Sequence, residues 1–478
     1  MYESSFAKIT DKYFKASPWP SVDAIAPYVD YDHVFCLLYK ELYFRHLFAR
    51  LTPSLEHRLE SWSNYCELFS VVLQGNVNMQ LPNLWLWDMV DEFCYQFQSF
   101  CQYRAKLALK TPDELEALRA APPAAWSVLG CVKYLQALGQ TSGVARILAA
   151  ERASGDTSGF TATEGYDRNS SNVLRTLGYF AQIGLARVHC LLGDYAGCLG
   201  ALDPLDVWQP GALLTKVPGC HVSTRYYCGF AQLMSRHTTD AIRSFNAALV
   251  YIARQQRALS VQQRTGLAGG ALEQIAKKQE QMFGLLALAV ALCPQHKLLD
   301  DSVKSSLADK YADKMVKMSS GDEAVADELF SFACPKFVAA CPPSCDDPLA
   351  NTSQDAFRLQ LRLFLASVRS ASLLPLLRSF LRLYTAIPVA KLAQLMDYDQ
   401  GALRQLLASM KRKAQVQEWR GAGTPLLDGA WVATGDVDFY VDGDMVHVID
   451  SKPQRQFVQE LTTAIEKQGE LRQLLAAR

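Results

Sequence analysis

The sequence predicts a mainly α protein in which a helical-repeat, tetratricopeptide-like superhelix leads into a winged helix and then a C-terminal helix. Three observations predict it. Apolar residues recur at three and four residues through most of the chain, partial internal similarity recurs between Leu177 and Ile242, and Leu373 to Ile449 runs three short helical patterns into a tight β-hairpin. Parts are placed at 1–110 (an N-terminal helical region), 111–355 (the repeat arm), 356–452 (the winged-helix part) and 453–478 (the last helix).

In the first part, Leu86, Met89, Val90, Phe93, Phe97, Phe100 and Cys101 share one helical face, with Asp88, Asp91, Glu92, Gln96 and Gln98 on the other side. Two such helices packing together account for the tryptophans. In the arm, Leu177-Gly178-Tyr179, Gly184-Leu185-Ala186 and Leu192-Gly193-Asp194-Tyr195 are echoed about 43 residues later by Tyr226-Tyr227, Gly229-Phe230-Ala231 and Asp240-Ala241-Ile242. Small residues of this kind let paired helices approach, as in stacked helix-turn-helix repeats. Loops are expected at 121–125, 155–171, 257–270 and 333–355, where Pro, Gly, Ser, Thr or other polar residues gather, and only the last marks a boundary.

The C-terminal module reads element by element. Leu376, Leu377, Phe380, Leu381 and Tyr384 form the first apolar face, Val389, Leu392, Ala393 and Met396 the second, Leu403, Leu406, Leu407 and Met410 the third. Pro375 and Pro388 suit first helical turns, where a missing N–H costs nothing, and Asp397 to Asp399 form a turn. Val437, Phe439 and Val441 alternate with polar residues up to Asp442-Gly443, the dipeptide of a type I′ turn, and Val446 and Val448 continue on the return strand. Beyond it, Phe457, Leu461, Ile465 and Leu474 give one narrow apolar stripe.

Composition excludes several classes of function. Lys plus Arg and Asp plus Glu are 48 each, so the bulk positive charge that favours nucleic acid is missing. The longest apolar run, Met282 to Cys293, is too short to span a membrane and suits a buried helix. The 13 cysteines form no C-x-x-C pair and no disulfide framework, and no signal peptide precedes them, which fits reduced thiols in the cytosol.

Candidate chemistry is sparse. His33, His46, His57, His189 and His447 are scattered without a paired-histidine or nucleophile-elbow motif, and structural roles fit them best. Cys334, Cys341, Cys345 and His221 have unusual spacing for zinc, and a loop of small residues is the better account. Gly266, Gly269 and Gly270 lack the lysine of a phosphate-binding loop. The third helix of the module offers Gln400, Gly401, Arg404, Gln405 and Ala408 for base reading, and one arginine is too few. Lys411, Arg412 and Lys413 fit a solvated, dipole-complementing last turn, with ribosomal RNA contact left open. No catalytic residue, cofactor or metal is expected.

Ser17-Pro18-Trp19-Pro20 with Ala24-Ile25-Ala26-Pro27, Leu38 to His46, Leu81 to Asp88, Tyr95 to Phe100, Arg378 to Tyr384, Pro388 to Ala393 and Val437 to Val441 together resemble, in order and spacing, the L-subunit family of eukaryotic translation initiation factor 3. The likeness spans almost the whole chain. It departs at the start, which lacks the tyrosine-rich polar leader of animal members, at 257–270 and in the Cys-Pro stretch. The resemblance implies a PCI domain, helical repeats capped by a winged helix, in a non-catalytic cytoplasmic scaffold. It also implies contact with initiation factor 3 subunits K and E, and a role in recruiting the small ribosomal subunit and messenger RNA. A scaffold of the proteasome lid or signalosome shares that fold, and a winged-helix nucleic-acid regulator is the alternative of another class. An unmanaged sheet edge invites a neighbour's strand, so Tyr440, Val441, Asp444 and Met445, at the hairpin tip and its edges, are expected at or near a subunit interface. Phe457, Leu461, Ile465 and Leu474 are expected in a bundle of helices from several subunits.

Overall fold

The computed structural model describes residues 2–75, 79–155, 171–205, 207–209, 211–262, 270–293, 298–319, 321–343, 353–372, 374–413, 415–418, 430–433, 437–450, 461–462, 464–465 and 467–468. Most of them are helical, and they divide between two compact units. The first is built chiefly from Met1–Ala312 and Asp327–Phe364, the second from Asp313–Ala326, Leu365–Arg420 and Gly429–Arg478.

In the first unit the helices Val128–Thr141, Val173–Leu192, Pro218–Met234 and Thr238–Gln262 pack in neighbouring pairs. The small residues seen in the sequence sit where a neighbouring helix packs its side chains onto the backbone. A Cβ on Gly184 would lie 2.6 Å from Val90 Cγ1, and one on Gly229 2.6 Å from Phe245 Cε1, closer than side chains tolerate. Thr238–Gln262 continues six residues into the stretch expected to be a loop from 257, because the helical pattern outlasts its polar composition there. The apolar run around Met282 lies in the helix Gly270–Leu292, with Met282 to Val290 buried.

The helix Asn83–Ala105 buries its apolar stripe as expected, but its opposite side is only partly solvated. It packs against His33–Arg50 and Leu55–Gln74 as well as Val173–Leu192, so polar side chains on the far face are covered too. Gln96 is fully buried: it accepts from Ser61 Oγ at 2.5 Å and donates to Glu92 Oε1 at 2.9 Å. Asp88 faces Arg45 at 3.5 Å and Asp91 pairs with Arg187 at 2.6 Å. A helix covered on several sides keeps its polar residues only by pairing them.

Burial pushes the Glu92 carboxyl up from 4.5 to about 8, against the opposing pull of Gln96 and Arg45. The folded state then holds this proton more tightly than the unfolded chain does. Its contribution to stability is full below the unfolded value and is lost as pH rises toward the folded one. Glu92→Gln keeps an acceptor for Gln96 and has no proton to lose. Its melting temperature is expected to pull ahead of the wild type as pH is raised from about 5 to about 8; parallel melting curves across that range would show that Glu92 stays ionised.

The second unit carries its own core. Leu377 and Leu381 from helix Leu374–Leu381, Val389, Leu392, Ala393 and Met396 from Val389–Met396, and Leu403, Leu407 and Met410 from Gln400–Lys413 close around Ile387, Phe439 and Val446. These belong to the three apolar faces read from the sequence, with Phe380, Tyr384 and Leu406 partly buried beside them, but Leu376 is turned outward at 47% exposed. Three strands join them: β1 (Ala386–Pro388), β4 (Val437–Asp442) and β5 (Met445–Asp450), in the order β1-β5-β4, all antiparallel. Two further strands, β2 (Gln415–Glu418) and β3 (Ala430–Ala433), form a separate antiparallel pair. Neither β1 nor this pair stood out in the sequence, since three or four residues are too few to show alternation.

Pro388 ends β1 and occupies the N-cap position of the following helix, one residue before the first turn expected for it, and Asp399 Oδ2 accepts the Gly401 N–H at 2.8 Å to start the next. The hairpin turn differs from the expected type. Asp442 pairs with Met445, so the two turn residues are Gly443 and Asp444, and of these only Gly443 has positive φ, at 54°. Glycine at the first central position is the requirement of a type II′ turn.

Candidate subunit interface

The register of the three-stranded sheet decides which backbone groups are exposed. Val448 donates its N–H to Thr385 O at 2.9 Å, and Val389 donates to Asp444 O at 2.8 Å. Backbone groups alternate sides along a strand, so Val446 and Val448 face β1 while Met445, His447 and Ile449 face β4. Opposite those three lie Asp442, Tyr440 and Asp438. The N–H and C=O of Val437, Phe439 and Val441 therefore point outward from β4.

Of the residues expected at an interface, Tyr440 and Val441 sit on this outer strand, 48% and 41% exposed. Tyr440 stacks on His447 with ring centroids 4.9 Å apart, which fixes the ring on the sheet surface. Asp444 is exposed at the tip, but its carboxylate takes the Arg404 guanidinium and its carbonyl holds Val389. Met445 is not an edge residue. It lies in the central strand between Pro388 and Asp442, because β1 covers the side that the sequence left open. A proline there would break the sheet itself, and Val441 is the position that tests the edge. Leu461 and Ile465 are helical and largely exposed, at 61% and 62%. Phe457 and Leu474 lie outside the described residues.

Two cations of the third helix, Arg404 and Lys411, reach back to this sheet. Arg404 donates to Gly443 O at 3.2 Å besides its pair with Asp444. Lys411 Nζ donates to Phe439 O at 2.7 Å and stands 3.7 Å from Asp438 Oδ1. Sequence reasoning placed Lys411 in a solvated last turn and gave Asp438 no role. A charged residue within an alternating edge strand was the available signal. Trp431 on β3, 67% exposed, was also missed.

Elsewhere polar groups are engaged structurally. His46 Nε2 lies 2.9 Å from Ser17 O, His57 closes a capping box with Ser54, and His189 lies 2.8 Å from Asp194. His33 lies 3.2 Å from Glu67. His221 is driven down to about 4 by burial and by Arg225, and burial pushes Cys334 up to about 12. Cys341 is exposed and Cys345 lies outside the described residues. Among the described residues no three His, Cys, Asp or Glu side chains gather as metal ligands, and no helix is long and apolar enough to cross a membrane. A cavity of about 270 Å³ in the first unit is bordered by Arg45, Arg50, Asp11 and Asp88, whose charges already pair with one another or with Glu41.

Residues 57–468 match the family model described as RNA polymerase I-associated factor PAF67. Over its whole length the chain is 40% identical to eukaryotic translation initiation factor 3 subunit L of Nematostella vectensis, covering 88% of that protein. The chain belongs to the translation initiation factor 3 subunit L family. The subunit L proteins of Xenopus tropicalis and Homo sapiens are each 42% identical over 99% of the chain, which covers 83% and 82% of them. Unlike the separate motifs, this match spans the residues of both compact units and of β4.

Proposed function

We propose that this chain is a non-catalytic, cytoplasmic scaffold subunit of the initiation factor 3 complex. The observation that carries this reading is similarity to subunit L proteins over the full chain. In this reading helices of 1–110 and a tetratricopeptide-like arm at 111–355 lead into a winged helix at 356–452, the arrangement of a PCI domain, with the helix at 453–478 joining a bundle. The sheet supports it, because β4 leaves the backbone of Val441 facing outward with Tyr440 exposed beside it. A neighbouring winged helix that adds its strand there satisfies those groups and sets the angle between subunits. Subunits K and E are the neighbours assigned by family resemblance, and holding them together supports recruitment of the small ribosomal subunit and messenger RNA. The tying of Arg404 and Lys411 to the sheet speaks against a nucleic-acid surface on the third helix.

Val441→Pro removes an outward N–H and leaves the ladder to β5 intact. Affinity for an initiation factor 3 complex assembled without this subunit is expected to fall about tenfold, with helical content unchanged. Removing 456–478 is expected to weaken assembly as well, since each buried leucine-sized side chain contributes about 1.5–3 kcal/mol. If native mass spectrometry found both variants incorporated at wild-type affinity, the scaffold contacts would lie elsewhere.

A further inference from the structure

The outer edge of β4 is closed at its middle. Phe439 is the central one of the three residues whose backbone groups face outward, and both of its groups are taken. Its N–H donates to Asp438 Oδ1 at 2.9 Å, and its carbonyl accepts from Lys411 Nζ at 2.7 Å. The ammonium and carboxylate are 3.7 Å apart, so the two side chains form one pair across the strand edge. An added strand would present a carbonyl to that N–H and an N–H to that carbonyl. Asp438 and Lys411 occupy both places and imitate it.

We infer that Lys411 and Asp438 form a latch on the β4 edge, which the strand of a neighbouring subunit must displace to pair beyond Val441. This rests on the edge-pairing reading above and adds the residues that govern it. Both side chains are about half exposed, 47% for Lys411 and 46% for Asp438, so the pair can open without disturbing the core. Phe439 stays anchored meanwhile, its ring 3% exposed. Among the described residues nothing caps the Val441 N–H, which makes Val441 the point where a strand first engages. A closed Phe439 also denies a second copy of the chain a long edge to pair with, which is how soluble sheets avoid self-association.

The test uses the full-length chain carrying Lys411→Ala, Asp438→Ala or both, each checked for unchanged helical content and melting. In the free chain the Phe439 amide is expected to exchange faster with solvent deuterium than in the wild type once the Asp438 carboxylate that accepts it is removed. Affinity for the initiation factor 3 complex assembled without this subunit is expected to rise about fivefold, the scale of one exposed ion pair. Unchanged exchange at Phe439 would mean that the pair does not close the edge. Faster exchange with unchanged affinity, or a gain that appears only as self-association, would mean that it does not gate the neighbour; each result overturns the latch. Val441→Pro separates the two ideas. If it weakens binding while removing both latch side chains fails to strengthen it, edge pairing stands and the latch falls; if Val441→Pro binds normally, edge pairing itself is wrong.

Discussion

Replacing Trp126 with alanine is expected to destabilise the first unit by about 3–5 kcal/mol, the cost of emptying a large aromatic site that neighbours refill only in part. Trp126 is fully buried, with ring centroids 5.1 Å from Trp62, 5.3 Å from Phe93 and 6.0 Å from Tyr65. Its Nε1 donates to Arg58 O at 2.8 Å, a second donor to a helix carbonyl that the change also removes. One detail makes the prediction sharper. Trp126 holds φ at 48°, a left-handed conformation that alanine must also adopt and glycine adopts freely. Trp126→Gly is therefore expected to melt no lower than Trp126→Ala, the reverse of the usual order. Chemical denaturation of the two variants checks both statements; a loss below about 1 kcal/mol would show that the site collapses onto the remaining rings.

Glu41→Ala is expected to have an effect of similar size by a different route. The Glu41 carboxylate is completely buried and gathers donors from three directions. Arg45 Nε donates at 3.1 Å and its Nη2 closes the pair, Trp85 Nε1 donates at 3.0 Å, and Tyr65 O–H at 3.5 Å. Removing the carboxylate takes from Arg45, 8% exposed, the partner of its Nε and Nη2, while Asp88 stands farther off at 3.5 Å. Breaking a buried pair from one side costs about 3–5 kcal/mol because the other charge stays desolvated. The double variant Glu41→Leu with Arg45→Met removes both charges and is expected to recover most of that loss. Equal stability of single and double variants would mean that Arg45 is satisfied without Glu41.

Both predictions fall in regions that the sequence half disclosed. The stripe from Leu86 to Cys101 was legible because an amphipathic helix repeats its apolar residues at helical spacing, and all seven are buried. Burial of Gln96 was not, since a polar residue on the far face of a helix carries no local sign that a second helix will cover it. Trp126 sits just beyond the predicted 121–125 loop, outside any periodic segment, and composition says nothing of the ring cluster that receives it.

The second unit divides in the same way. Its three helical faces and the alternation of Val437, Phe439, Val441, Val446 and Val448 are local patterns, and they alone determined that three helices and a hairpin would share a core. That Met445 is central, Phe439 closed by Lys411 and Val441 open was decided only when β1 docked on β5 and the helix Gln400–Lys413 came to rest beside β4. Periodicity records which side of an element seeks burial, because that preference belongs to the element's own residues. Which edge stays free depends on partners distant in sequence, and hydrogen bonds between such partners exist only in the folded chain.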